Sequence, residues 1–136
     1  MGTFDILHYG HLIYLEECAL IGDVIVGLST DANALSKRSP IMSYSERATS
    51  LALMTCVKKI VPKDEPSAKP IISVVDPHIL TYGSDWTKYG WLRENLINLH
   101  WLEEQGIALH EIRNTQVIST TEIIERIAST IRNRRV

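Results

Sequence analysis

Two glycines, a threonine and two histidines fall within ten residues near the start of the chain, in GTFDILHYGH at positions 2–11. Gly2 lets an anion approach the main chain without meeting a side chain, and Gly10 lets the backbone turn tightly between His8 and His11. The histidines stand three apart, so a helix beginning near Tyr9 sets them on about the same face of its first turn. Unpaired amides and the positive end of the helix dipole point to that face too, which suits a nucleotide phosphate. Metal binding is another use of an HxxH pair, but Cys18 and Cys56 are isolated and His78, His100 and His110 scattered, so no ligand set is completed. The plain alternative is two histidines that only cap a helix.

Helix and strand signals alternate along the rest of the chain. Residues 12–21 read as a helix with Leu15, Cys18 and Ala19 inward and Gly22 as its stop. Residues 24–28 form an apolar, β-branched run, as expected of a strand covered on both faces. Residues 32–42 lack a period and read as an irregular excursion. A helix capped by Ser43 or Ser45 follows to about residue 55, then a strand over 57–61. Ser67 caps a short helix that Asp76 and Pro77 break, and 79–82 is the next strand. Leu92, Leu96, Leu99 and Leu102 predict one long helix over 91–105, stopped by Gly106, and 107–112 alternates as a strand. The last helix starts near Thr120, with Ile123, Ile124, Ile127, Ala128 and Ile131 on one side. This order favours an α/β fold, a parallel sheet with helices on both faces and a site at the strands' C-terminal ends.

A chain of 136 residues with 45% hydrophobic and 22% charged residues is expected to form one domain, 1–136. Its net charge of −2 advertises no nucleic-acid partner, and Arg132, Arg134 and Arg135 read as a solvated helix end. No apolar run approaches the roughly 18 residues of a membrane span, and no signal peptide opens the chain, so a cytoplasmic location is expected. The two cysteines read as small core residues, not a disulfide.

Beside the first motif stand four more in order: Ser29-Thr30-Asp31 after a strand, Tyr44-Ser45-Glu46-Arg47 opening a helix, Gly83-Ser84-Asp85-Trp86, and Ile118-Ser119-Thr120-Thr121-Glu122-Ile123. On these residues the chain resembles the cytidylyltransferase family, whose hallmark is GTFDxxHxGH, and within it the glycerol-3-phosphate cytidylyltransferase branch. The resemblance implies a Rossmann-like fold of the HxGH nucleotidyltransferase type and a homodimer. It also implies an apolar strand immediately before GTFD. Only Met1 precedes Gly2 here, and the expectation is a sequence that begins late.

The chemistry implied by the resemblance is attack of a phosphate or phosphonate oxygen on the α-phosphorus of CTP, with Mg²⁺ carried by the nucleotide and pyrophosphate released. Such a displacement depends on in-line positioning and on donors to the phosphoryl oxygens. His8 and His11 would donate to the α-phosphate and leaving oxygens, and the Thr3 and Phe4 amides would hold the phosphates beside Gly2 and Gly10. Lys37 or Arg38 would bring a cation over the triphosphate, with Arg38 the one assigned toward the acceptor. Ser119, Thr120 and Thr121 would bind the outer phosphates, although an ordinary capping box of Ser119 and Glu122 is the plain alternative. Arg113 matches a cytosine- and phosphate-contacting arginine, at a spacing one residue longer. Asp85 would accept from cytosine's amino group, and Asp31 would face the acceptor alcohol. Thr55 and Lys58 replace the arginine and aspartate of the glycerol-3-phosphate branch, and the longer 85–94 segment is similar to phosphonate-directed enzymes. Lys58, Lys88 and Arg93 are further acceptor candidates. Heptose-phosphate or flavin-type adenylyl transfer, and a nucleotide sensor without turnover, are the other readings.

Overall fold

The computed structural model describes residues 1–113 and 118–135. Helix α1 spans Tyr9–Ala19 and leads into strand β1, Val24–Ser29. A single short helical turn, α2 (Asp31–Ala34), begins the excursion, and α3 (Tyr44–Ala52) follows it. Ser43 caps α3 in a full capping box with Glu46. Strand β2 (Val57–Lys63), α4 (Lys69–Val75) and β3 (Ile79–Gly83) come next. Then come α5 (Lys88–Glu94), α6 (Leu99–Glu104), β4 (Ala108–Ile112) and α7 (Thr120–Arg134).

The long helix expected over 91–105 is two helices. Leu96 takes a left-handed backbone, φ 53°, and the Ile97 and Leu96 amides donate back to the Leu92 and Arg93 carbonyls. That is a Schellman stop with leucine where glycine is usual. The Asn98 side chain then caps α6 by accepting from the Trp101 amide at 2.8 Å. The leucine period runs on through the break, so spacing alone hid it. Gly106, φ 68°, ends α6 as expected, and a left-handed Asp76 ends α4.

The strands are parallel, as expected, but pair two by two: β1 with β2, and β3 with β4. Two clusters of buried residues fill the interior, and each draws on both pairs: Ile112 of β4 joins the cluster around β1, and Val61 of β2 packs against the cluster around β3. Leu15, Cys18, Val24, Val26, Leu28 and Leu51 pack around β1, while Ile71, Ile72, Leu80, Tyr82, Trp91 and Leu102 pack around β3. Gly2 lies beside β1 in one parallel bridge to Leu28. Below it a cavity of about 600 Å³ separates the facing edges, lined by Met1, Tyr14, Cys18, Val26, Ile72 and Thr81 among others. Inside it the Tyr14 hydroxyl pairs with Thr81 Oγ1 at 2.7 Å, and burial pushes the Tyr14 pKa up. No described helix is long and apolar enough to cross a membrane.

Candidate active site

The loop between Gly2 and α1 is bent by Phe4 and Ile6, which hold φ near 50°, a conformation costly for any residue but glycine and most of all for a β-branched one. Three groups from distant parts of the chain fix it. The Asp5 carboxylate accepts from the Ile41 and Met42 amides at 2.8 and 2.9 Å, so the excursion before α3 is tied to the loop. Thr120 Oγ1 donates to the Asp5 carbonyl at 2.8 Å, tying in the start of α7. Arg47, on α3, has a side chain with 0% exposure and donates to the carbonyls of Thr3, Ser29 and Met42 and to Asp31 Oδ1. The amides of Thr3 and Phe4 donate to nothing among the described residues.

Both histidines use Nδ1 internally. His8 caps α1, accepting from the Gly10 amide at 3.1 Å, and His11 accepts from the His8 amide at 3.2 Å. A neutral imidazole that accepts at Nδ1 carries its proton on Nε2, so each ring offers an Nε2–H donor. The rings stack with centroids 3.9 Å apart, and Phe4 lies 5.3 Å from His11. Burial, then the neighbouring His8, pulls the His11 pKa down to about 4 against a smaller opposing effect of Asp5, and burial lowers that of His8. The pair is therefore neutral at pH 7 and donates without carrying charge.

This gives a stability prediction. The unfolded His11 titrates near its ordinary value of about 6.5, above its folded value, so the unfolded chain takes up the proton first as pH falls. The contribution of a neutral His11 is complete above about pH 6.5 and is lost on the way down to about 4. Urea unfolding at pH 7 and pH 4.5 should show the wild type losing about 2 kcal/mol more than His11→Gln between the two; equal losses would contradict the assigned His11 titration.

Two sequence assignments are corrected. Gly2 spends its amide on the Gly27 carbonyl and its carbonyl on the Ser29 amide, and a Cβ there would meet the Phe4 ring at 3.1 Å. It makes room for the Phe4 ring. Gly10 is no tight turn but the buried second residue of α1, its amide given to His8.

The remaining candidates gather at the strands' C-terminal ends. Ser119 caps α7 by accepting from the Glu122 amide, while the Glu122 carboxylate turns to Arg126, so only half of the expected box forms. Arg38 Nη1 reaches Thr121 Oγ1 at 3.4 Å, whereas Lys37 turns away from α7 to Glu94, at 2.8 Å, and the Trp86 ring. Asp31 is held by Arg47, which with the Tyr44 amide lowers its pKa. Asp85 folds back over the end of β3, where a Cβ on Gly83 would lie 2.5 Å from its carboxylate. Arg113 is exposed just past β4; the chain from it to the Ser-Thr-Thr cluster, 114–117, lies outside the described residues. Lys58 pairs with Asp23 at the other end of β1 and β2, away from these groups. In the sequence Arg47 stood only as the last residue of the motif that opens α3; its burial at the centre of the loop had no signal there.

Residues 1–126 match the family model described as cytidylyltransferase-like. The chain belongs to the cytidylyltransferase-like family. This is a family of nucleotidyltransferase enzymes. Among curated proteins the chain is 34% identical over 130 residues to "Bifunctional protein HldE" of Pelobacter propionicus, covering 93% of this chain and 26% of that protein. It is 35% identical over 133 residues to HldE of Helicobacter pylori strain Shi470, covering 95% and 27%. It thus spans about a quarter of the length of the curated relatives it matches. A crystal structure of the lipopolysaccharide core biosynthesis protein from Thermoplasma volcanium GSS1 superposes with a TM-score of 0.67 at 25% identity, over 86% of this chain and 93% of that one.

Proposed function

We propose that this chain, acting as one nucleotidyltransferase domain, transfers a nucleotidyl group from a nucleoside triphosphate to the phosphate of a small phosphorylated sugar, releasing pyrophosphate. The observation that carries it is the pair of neutral imidazoles, each with Nδ1 committed and Nε2–H available, over a strained loop with unspent amides. In this reading His8 and His11 donate to the α-phosphate, where negative charge grows as the acceptor oxygen attacks. The Thr3 and Phe4 amides, Arg38 and the Ser119 to Thr121 helix start hold the outer phosphates. Asp85, which can only accept, suits a base with an exocyclic amino group, either cytosine or adenine.

A sugar-phosphate acceptor is supported by the likeness to HldE proteins and to a lipopolysaccharide core biosynthesis protein. Glycerol-3-phosphate with CTP, the leading expectation from sequence, is the second reading, favoured by the motif match. Among the described residues no group of three or more His, Cys, Asp or Glu could by itself hold a metal ion such as Mg²⁺. The ion would enter with the triphosphate and supply charge neutralisation there. A homodimer in the cytoplasm completes the reading.

The test is pyrophosphate release with Mg²⁺, offering CTP or ATP against a heptose 1-phosphate, glycerol-3-phosphate, phosphocholine, phosphoethanolamine and 2-hydroxyethylphosphonate. Release with the heptose phosphate is the expected result. Release with CTP and glycerol-3-phosphate alone would install the second reading, and nucleotide binding without any release would leave a sensing module.

A further inference from the structure

In the reading above a nucleotide lies across both halves of the molecule, its phosphates on His8 and His11 and its base at Asp85. Yet β1 and β3 share no sheet, and the cavity of about 600 Å³ lies between them. Close packing therefore does not hold these two ends at a fixed distance there. A polar contact crosses the gap instead. The Tyr14 hydroxyl meets Thr81 Oγ1 at 2.7 Å, and Cys18 Sγ, one turn further along α1, meets the same oxygen at 3.4 Å. Tyr14 follows His11 by three residues, on the same side of α1 and roughly 4.5 Å along its axis. Thr81 and Gly83 are alternate residues of β3 and share one face of it. At the point over that face where Gly83 would carry a Cβ, Asp85 Oδ1 lies 2.5 Å away and Tyr14 Cε2 3.8 Å away. One side chain of the histidine helix thus touches β3 at Thr81 and stands beside the carboxylate that would read the base.

We propose that the hydrogen bond between Tyr14 and Thr81 sets the spacing between the histidines and the Asp85 carboxylate, which makes both of them positioning residues for the base of the nucleotide. This rests on the nucleotidyltransferase reading above, and it names what tunes the choice of base. Asp85 selects an exocyclic amino group only when its oxygens stand within hydrogen-bond reach of that group while the α-phosphate lies on the imidazoles, and a misplacement of about 1 Å at either end spoils the fit. Burial keeps the Tyr14 phenol protonated, so it remains a hydrogen-bonding partner and does not become a charge beside Asp85. The Tyr14 ring fills the space over Gly83 with or without its hydroxyl; the hydroxyl fixes where along β3 the ring comes to rest. Tyr14 and Thr81 touch no reacting atom in this arrangement and act through Asp85 and α1.

Calorimetric titration with Mg²⁺ present tests this without turnover. The affinity for CTP over UTP, and for ATP over ITP, reads the preference for an amino group over a carbonyl, while inorganic tripolyphosphate reports the phosphate end alone. Tyr14→Phe keeps the ring and removes the hydroxyl. It is expected to lower the amino-over-carbonyl preference about fivefold, the size of effect that one buried hydrogen bond supports, and to leave tripolyphosphate affinity within about twofold. Thr81→Val should do the same, and Thr81→Ser, which keeps the hydroxyl, should hold the preference within about twofold of the wild type. Tyr14→Phe and Thr81→Val combined should lose no more than either alone, as expected of two ends of one contact. A merely structural pair would weaken tripolyphosphate and nucleotides alike. That result, an unchanged preference in Tyr14→Phe or Thr81→Val, additive losses in the double variant, or a wild-type chain with no preference would overturn the assignment. Should Tyr14→Phe fail to fold, Thr81→Val and Thr81→Ser carry the same test. Base preference that obeys these expectations in a chain that releases no pyrophosphate would sink the transferase reading and leave the positioning pair; pyrophosphate release with base preference indifferent to Tyr14 and Thr81 would do the reverse.

Discussion

Replacing His8 with alanine is expected to lower turnover about 10²- to 10³-fold, the range for removing one donor aimed at developing charge. The same change removes the cap of α1, since His8 Nδ1 accepts from the Gly10 amide, and a lost cap costs about 1 kcal/mol. The two effects can be separated. Asparagine at this position can accept from the same amide but cannot set an Nε2–H where the imidazole had it, so His8→Asn should recover the unfolding midpoint and not the rate. Turnover by His8→Ala within a fewfold of the wild type would take the histidine out of the mechanism.

Arg47→Met should be the most destabilising substitution on the binding face, by about 3–5 kcal/mol, because it removes a buried guanidinium that donates to three backbone carbonyls and to Asp31. The Thr3, Ser29 and Met42 carbonyls lose their donor and Asp31 its cation. The Thr3 contact also helps hold the bent loop, so nucleotide affinity should fall even at temperatures where the variant is fully folded. Lysine is not a substitute, since one ammonium cannot reproduce a planar fork that meets four acceptors in different directions. Denaturant unfolding combined with CTP or ATP titration would check both parts; a variant that loses less than about 1 kcal/mol would show that water or a neighbour replaces the guanidinium.

Much of this was legible in the residues. The strands announced themselves because each is a short β-branched run between turn signals, and the motifs fell at strand ends and helix starts because the α/β order puts them there. Asp5 and Arg47 stood inside two of the motifs, and in the fold they hold the histidine loop in place. The break at Leu96 was not legible, because a left-handed leucine leaves the apolar period intact. The two-by-two pairing of strands was not legible either, since periodicity says that a strand is buried and not beside which neighbour. Lys37 and Arg38 looked interchangeable in sequence; a one-residue step along an irregular backbone sends them to opposite sides of the site.

The gap between the two ribbons also bears on how the molecule meets compression. Hydrostatic pressure favours whichever state has the smaller volume, and unfolding lets water into internal space that folding leaves unfilled. With about 600 Å³ between β1 and β3, the seam between the ribbons offers pressure a gain in density. Under pressure the molecule is expected to yield along that seam first, with Tyr14 and Thr81 meeting solvent while the histidine loop, anchored through Arg47 and Asp5 on the β1 side, keeps its shape.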